Sequence, residues 1–174
     1  MSAAAMASQI HPTALVDPAA QLGEGVSIGP YAVAGPEVQI GSGTRIGPHV
    51  VLDGRVRLGR DNHIFAGACI GQEPQDLKYT GDPTEVVIGD GNRIREYVTI
   101  NRATAGDEQT VLGDGNLLMA YSHIGHNCRL GNRIVAKPRA KPGAFQDQGA
   151  CNQRVQSPSQ NRDLHWRHRC RVPQ

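Results

Sequence analysis

Residues 10–70 read IHPTALVDPAAQLGEGVSIGPYAVAGPEVQIGSGTRIGPHVVLDGRVRLGRDNHIFAGACI, and every sixth residue of this stretch is aliphatic, relaxing once to Ala. A helix would return an apolar residue every three or four positions and a strand every second position, so neither element explains a strict period of six. The period is typical of a hexapeptide-repeat solenoid, in which short straight runs alternate with corners. The repeating residues, called anchors below, are Ile10, Val16, Leu22, Ile28, Ala34, Ile40, Ile46, Leu52, Leu58, Ile64 and Ile70.

A second series of small or β-branched residues follows most anchors at a distance of four positions. Three six-residue sides make one triangular coil, and successive coils hydrogen-bond to each other about 4.8 Å apart. Both series would then point into a narrow prism, where the aliphatic side chains stack in columns. The sequence therefore predicts an all-β protein built as a parallel β-helix. The second series comprises Ala14, Ala20, Val26, Ala32, Val38, Thr44, Val50, Val56 and Ala68.

Glycine directly follows 11 of the 18 anchors along the chain. We expect the chain to turn a corner at these positions, because glycine tolerates backbone angles that other residues avoid. Beyond residue 70 the six-residue phase resumes twice, which predicts two loops, near residues 71–87 and 101–111. The later anchors are Ile88, Ile94, Ile100, Leu112, Leu118, Ile124 and Leu130.

The chain divides into an N-terminal segment at residues 1–9, the hexapeptide-repeat β-helix at 10–135 and an irregular tail at 136–174. Up to residue 135 there are 10 Lys and Arg against 14 Asp and Glu, whereas the tail has 8 against 2. The tail also lacks aliphatic residues at six-residue spacing, so it is not expected to continue the prism.

Three interpretations of the basic tail are open. It is a disordered arm that binds nucleic acid or an acidic surface, a metal knuckle, or the product of a shifted reading frame after about Ala136. The knuckle, formed by Cys151, His165, His168 and Cys170, matches no common zinc spacing. We favour the frame shift, because the repeat is lost in the middle of a turn, and we expect neither a bound metal nor a nucleic-acid partner.

Composition limits the location of the protein. No apolar run approaches the length of a membrane span, and residues 1–9 lack the basic and apolar regions of a signal peptide. The sequence therefore predicts a cytoplasmic protein. We expect its four cysteines to be buried or incidental thiols and not a disulfide framework, with Cys128 at an inward position.

A cluster of polar residues at 121–128, reading YSHIGHNC, is the first candidate site. The phase directs Ile124 inward, sets the corner at Gly125, and leaves His126 and Asn127 pointing outward, with His123 on the preceding side. An exposed imidazole that titrates near neutral pH can take a proton from a sugar hydroxyl. The pattern by itself favours an ordinary surface histidine.

The first predicted loop carries a carboxylate and an ammonium group two residues apart, Asp76 and Lys78. Such a pair can accept hydrogen bonds from sugar hydroxyls and place a cation beside a phosphate or an oxyanion.

Two longer motifs, QDLKYTGDPTEVVIGDGNRIREYVTINRAT and NLLMAYSHIGHNC, closely resemble the UDP-N-acetylglucosamine O-acyltransferase family of lipid A biosynthesis. The resemblance covers about residues 10–135. It implies a left-handed β-helix, a homotrimer with the active site between subunits, and no cofactor or metal. It also implies transfer of a 3-hydroxyacyl chain from acyl carrier protein to the 3-hydroxyl of UDP-N-acetylglucosamine. By the same resemblance His126 is the general base, His123 its companion in the cleft, and Asp76 and Lys78 bind the nucleotide sugar.

The sequence departs from the family at several points. Asn127 stands where the family commonly has Asp, so it can orient an imidazole but brings no charge, and Asn101 stands where some relatives have histidine. The family continues with further coils and a helical domain, which nothing after Ala136 resembles, so we expect a partial site. A non-catalytic fragment or scaffold, a related N-acyltransferase, and a hexapeptide carbonic anhydrase with His123 and His126 as zinc ligands remain alternatives.

Overall fold

The computed structural model describes residues 8–138. Within this range the chain forms 19 short strands that are all parallel and lie in three sheets. The fold is the left-handed parallel β-helix that the repeat and the resemblance predicted. No helix within residues 8–138 has the length and hydrophobicity needed to span a bilayer. The interpretations of the tail, including the knuckle at Cys151, His165, His168 and Cys170, fall on residues outside this range.

Each of the strands β1 to β18 contains one anchor near its end, and the strands follow one another around the prism. They are β1 (Gln9–Ile10), β2 (Leu15–Val16), β3 (Gln21–Leu22), β4 (Ser27–Ile28), β5 (Val33–Ala34), β6 (Val38–Ile40), β7 (Arg45–Ile46), β8 (Val51–Leu52), β9 (Arg55–Leu58), β10 (His63–Ile64), β11 (Cys69–Gln72), β12 (Glu85–Ile88), β13 (Arg93–Ile94), β14 (Thr99–Asn101), β15 (Gln109–Leu112), β16 (Leu117–Leu118), β17 (His123–Ile124), β18 (Arg129–Leu130) and β19 (Val135–Ala136).

Every third strand belongs to the same sheet. Sheet A begins with β1, sheet B with β2 and sheet C with β3, and β19 adds a seventh strand to sheet A. Anchors pair with anchors in the register of each sheet, as Ile28 does with Ile46 and Ile46 with Ile64. This register stacks the aliphatic side chains in columns along the axis of the prism.

The anchor columns form the hydrophobic core. From Ile28 to Leu130 the anchors are buried, and each fully buried Ile or Leu stabilises the fold by roughly 1.5–3 kcal/mol. The first coil differs, because Ile10 is 46% exposed and, among residues 8–138, β1 pairs with β4 alone. Cys128 is buried at the inward position that the phase assigned to it.

The expected role of the glycines after the anchors was wrong. Of these 11 glycines only Gly71 has a positive φ, and the left-handed residue of most corners comes two positions later, as at Tyr31 and Asn127. Most of these glycines are instead needed because adjacent coils approach closely, and Gly35, Gly125 and Gly131 are the exceptions. A Cβ on Gly41 would lie 2.5 Å from the carbonyl carbon and oxygen of Gly59, a distance at which the coils would have to move apart.

Candidate active site

Three segments lie at one corner of the prism. Two are loops that interrupt the six-residue repeat, and the third belongs to the polar cluster at residues 121–128. The loop at residues 73–84 joins β11 to β12, the loop at 102–108 joins β14 to β15, and residues 125–128 join β17 to β18. In each case the chain passes from sheet B to sheet C, and each of the three segments lies one coil further along the axis than the one before it. The two loops therefore stack beside the corner that carries His126, as functional loops commonly do on a rigid scaffold.

Local backbone geometry fixes the position of His126. Ile124 is buried, and the following residues form a turn in which His126 is half-buried at the surface. Asn127 adopts φ of 62°, a left-handed conformation that Asn tolerates better than most residues. Its backbone N–H donates to Oγ1 of Thr110 at 3.0 Å, which holds the turn against the previous coil. The outward placement that the phase predicted for His126 is confirmed.

The Asn127 side chain connects His126 to the loop at 102–108. Oδ1 of Asn127 lies 2.7 Å from Nδ1 of His126 and accepts hydrogen bonds from the backbone N–H of Thr104 at 3.3 Å and its hydroxyl at 3.1 Å. Nδ2 of Asn127 donates to a carboxylate oxygen of Glu108. Asn127 thus orients the imidazole, as expected from the sequence, and Nε2 has no partner among the described residues.

His123 lies on β17, one side before the corner. Its Nδ1 is 2.7 Å from Oγ1 of Thr99, its partner on β14. Although much of the residue is accessible to solvent, partial burial of the ring lowers its pKa from 6.5, and repulsion from His126 lowers the pKa further. Both effects favour a neutral imidazole beside His126.

The structure places Asp76 and Lys78 in the loop at the same corner, two coils before His126. Oδ1 of Asp76 accepts a hydrogen bond from the backbone N–H of Lys78 at 3.0 Å, and its carbonyl oxygen accepts from Tyr79 N–H at 3.1 Å. Lys78 is exposed. Within residues 8–138 no hydrogen bond or ion pair joins either residue to His123 or His126, so the structure brings them to one corner but not into contact.

Arg102 ties the two loops together, a role that the sequence did not reveal. Its guanidinium donates to the carbonyl oxygen of Gly71 at 3.0 Å and to the Tyr79 hydroxyl at 3.0 and 3.3 Å, and it pairs with Glu73 at 3.2 Å. The side chain is only 15% exposed, and the ring of Tyr79 lies beside it. The loop that carries Asp76 and Lys78 is thereby fixed to the coil that carries the second loop.

Asn101, the position where some relatives have histidine, is buried between the loops. Its Nδ2 donates to the carbonyl oxygens of Gln72 and Glu73, so the side chain holds the loop backbone together.

A polar groove runs along sheet C beneath the loops. Its floor carries two ion pairs, Arg55 with Glu37 at 2.9 Å and Arg57 with Glu85 at 3.0 Å, and Glu108 lies at its edge. Residues 8–138 contain no group of three or more His, Cys, Asp or Glu side chains arranged to hold a metal ion.

Four residues at this corner were not predicted from the sequence, namely Thr99, Thr104, Glu108 and Arg102. One signal was present in the sequence. Ile70, Ile100 and Ile124 are the eleventh, fourteenth and seventeenth anchors. Because three anchors make one coil, the segments that follow these three must lie at the same corner. The pairings within that corner depend on loop conformation, for which the repeat carries no signal.

Comparison with known proteins agrees with the fold. Residues 19–54 match the bacterial transferase hexapeptide (six repeats) model. Over 129 residues the chain is 58% identical to the acyl-(acyl-carrier-protein)–UDP-N-acetylglucosamine O-acyltransferase of Halorhodospira halophila, covering 74% of this chain and 50% of that protein. The enzyme of the same name from Herminiimonas arsenicoxydans is 57% identical over 129 residues, 74% of this chain and 49% of that protein.

The solved structure of Francisella novicida UDP-N-acetylglucosamine acyltransferase is similar with a TM-score of 0.71 and 41% identity, covering 73% of this chain and 47% of that one. The chain spans about half the length of the curated relatives it matches. Through its repeat region the chain is similar to the UDP-N-acetylglucosamine O-acyltransferases.

Proposed function

We propose that the protein transfers a 3-hydroxyacyl chain from acyl carrier protein to the 3-hydroxyl of UDP-N-acetylglucosamine, the first step of lipid A biosynthesis. The observation that carries the proposal is His126, an imidazole held at Nδ1 by Asn127 with Nε2 left open, in a coil region 58% identical to a curated O-acyltransferase. A histidine so oriented is suited to general base catalysis.

The reaction needs one proton acceptor. Nε2 of His126 removes the proton from the sugar hydroxyl as its oxygen attacks the thioester carbonyl carbon. The tetrahedral intermediate then collapses, the carbon–sulfur bond breaks, and the imidazolium returns the proton to the departing thiolate of acyl carrier protein. Asn127 keeps the ring in place through both proton transfers, in the way that a third group orients the base of other acyl-transfer sites.

The other site residues have binding roles in this proposal. Asp76 accepts hydrogen bonds from the nucleotide sugar and Lys78 supplies a cation for its phosphates, while neutral His123 lines the same cleft. Asp76, Lys78 and His126 lie at one corner and His123 lies on the side before it, and none of the four is buried. This arrangement fits a homotrimer with its active sites between subunits. The reaction would take place in the cytoplasm, within the β-helix of residues 10–135, and would require neither residues 1–9 nor the tail for its base.

An acyl-transfer assay on the 174-residue chain tests this function, with labelled 3-hydroxyacyl acyl carrier protein as donor. We expect His126→Gln to lower kcat by about 10²–10⁴-fold, the usual contribution of a general base. His49→Gln is the matched control, because His49 lies at a different corner, between β7 and β8. Undiminished transfer by His126→Gln would exclude the proposed base, and no transfer by the unaltered chain would favour the non-catalytic scaffold.

Two solution measurements separate the remaining alternatives. Sedimentation equilibrium should give a mass three times the 18.6 kDa of the chain if the trimer forms. Metal analysis of the purified protein should find no stoichiometric zinc. Stoichiometric zinc that is lost in His126→Gln would instead favour the carbonic anhydrase interpretation.

A further inference from the structure

The hydrogen bonds around Asn127 determine the tautomer of the His126 ring as well as its orientation. We propose that Glu108 is a positioning residue, which determines the tautomer of His126 through the side-chain amide of Asn127. The catalytic meaning of this assignment rests on the proposed function, but the tautomer itself does not.

The first step concerns which way the Asn127 amide faces. An ionised carboxylate can only accept hydrogen bonds, so the amide atom that contacts Glu108 must be the NH₂ group. A backbone N–H can only donate, so the atom that faces Thr104 N–H at 3.3 Å must be the carbonyl oxygen. Glu108 and Thr104 therefore impose the same orientation from opposite ends of the amide.

The second step follows from the 2.7 Å separation between Oδ1 of Asn127 and Nδ1 of His126. The amide oxygen carries no hydrogen, so Nδ1 must donate. In the neutral ring the proton is then on Nδ1 and the lone pair is on Nε2. A neutral histidine in water prefers the opposite arrangement, with the proton on Nε2. The site thus selects the form in which Nε2 can act as a base.

The third step is the charge of Glu108. Asn127 can orient the imidazole but brings no charge of its own, and Glu108 places a carboxylate one amide group away from the ring. A charged acceptor on Nδ2 polarises the amide and strengthens Oδ1 as an acceptor from His126. Glu108 is exposed, so added salt should weaken this effect.

The loop at 102–108 is built to hold this carboxylate. The backbone N–H of Glu108 donates to the carbonyl oxygen of Ala105 at 2.9 Å, closing a tight turn, and the Thr104 hydroxyl lies 3.4 Å from the carboxylate. Glu108 also immediately precedes β15, whose Thr110 accepts from the backbone of Asn127. The carboxylate is therefore fixed relative to the turn that carries His126.

Long-range ¹H–¹⁵N correlation spectra of the ¹⁵N-labelled protein, recorded where His126 is neutral, test the proposal directly. We expect the unaltered protein to show the Nδ1–H pattern. Glu108→Gln should shift His126 toward a mixture with the Nε2–H form, because a neutral amide at position 108 can donate as well as accept. Glu37→Gln, which breaks the ion pair with Arg55 elsewhere on sheet C, is the matched control and should leave His126 unchanged.

A second variant guards against an indirect effect of Glu108→Gln. The second variant adds Asn127→Asp to Glu108→Gln. The new carboxylate can only accept hydrogen bonds, from Nδ1–H of His126 on one side and from the glutamine amide at position 108 on the other. This exchange should restore the Nδ1–H pattern. An Nε2–H pattern in the unaltered protein, or a pattern unchanged by Glu108→Gln, would overturn the proposal.

Kinetics connect the tautomer to the reaction. If His126 is the base, kcat of Glu108→Gln should fall in proportion to the loss of the Nδ1–H form, with KM for the nucleotide sugar unchanged. A tautomer that responds as expected in a chain that transfers no acyl group would reject the proposed function and leave the positioning role of Glu108 intact.

Discussion

Asn92 donates two hydrogen bonds to Oδ1 of Asn62, from its backbone N–H at 2.9 Å and from its side-chain amide at 3.0 Å. The pair belongs to a buried column of Asn side chains beside sheet A. In the next coil Oδ1 of Asn92 accepts a hydrogen bond from the backbone N–H of Asn116 at 2.8 Å. In the coil after that, Oδ1 of Asn116 accepts from the backbone N–H of Ile134 at 2.8 Å. The interior of the prism is thus aliphatic along its faces and partly hydrogen-bonded along one corner.

Removing a member of this column should destabilise the β-helix. Asn92→Val leaves the buried N–H of Asn116 without its acceptor and removes a donor from Asn62, and each unsatisfied buried group costs about 1–3 kcal/mol. Urea denaturation should show a lower midpoint. Gln39→Val, at an exposed position of β6, should change stability by no more than about 0.5 kcal/mol. Equal stability of the two variants would refute a structural role for the column.

The close approach of the coils makes a second prediction. Gly41→Ala should destabilise the protein by about 1–3 kcal/mol, because the added methyl group would overlap the backbone of Gly59 and force the coils apart. Gly106→Ala is the control, since the nearest heavy atom to its added carbon would be 3.9 Å away. Thermal unfolding followed by circular dichroism compares the two. The steric explanation fails if both variants unfold at the same temperature.

The environment of His63 predicts a dependence of stability on pH. Burial of the ring, with repulsion from Arg45, Arg93 and Arg95, lowers its pKa from 6.5, and Glu96 opposes the shift. The unfolded chain therefore binds a proton more readily than the folded one does. The contribution of His63 is complete above pH 6.5 and is lost as the pH falls toward its folded pKa.

We expect the urea midpoint to decline on acidification just below pH 6.5, and to decline less in His63→Gln. Denaturation series on either side of that pH measure the difference. A decline of the same steepness in both proteins would show that His63 does not contribute.

Arg102 should control the mobility of the first loop. Arg102→Lys keeps the charge but cannot reproduce the contacts with Gly71, Glu73 and Tyr79, because an ammonium group lacks the planar fork of donors. Hydrogen exchange of residues 73–84 should accelerate. Arg60→Lys, which alters an exposed pair with Asp90, is the control. Unchanged exchange in Arg102→Lys would mean that the loop is held by its other contacts.

The fold was predictable because its period is visible in every coil. All 18 anchors lie in strands, and the interruptions fall where the phase breaks. The reason for the glycines was not predictable in the same way, since contact between Gly41 and Gly59 depends on the spacing of two coils and not on either residue's own conformation. The polar column was overlooked because Asn62, Asn92 and Asn116 do not fit a rule that expects small or β-branched residues inside.

The candidate site was predictable in part. Phase alone placed His126 and Asn127 on the outside, and the structure confirms their mutual hydrogen bond. Glu108 could not be assigned, because its contact with Asn127 joins residues 19 positions apart through a loop of no regular structure. The roles of His126, His123, Asp76 and Lys78 stay predictions.

The placement of both loops at one corner has a consequence for how such a protein can vary. Val51 pairs with Cys69, Cys69 with Thr99, and Thr99 with His123, so neighbouring rungs of one wall are separated by very different lengths of chain. Extra residues leave the ladder and rejoin it while the anchors stay paired, with one register shift between Ile70 and Gln72. Insertion and deletion can therefore reshape the surroundings of the imidazole while the scaffold beneath it keeps its geometry.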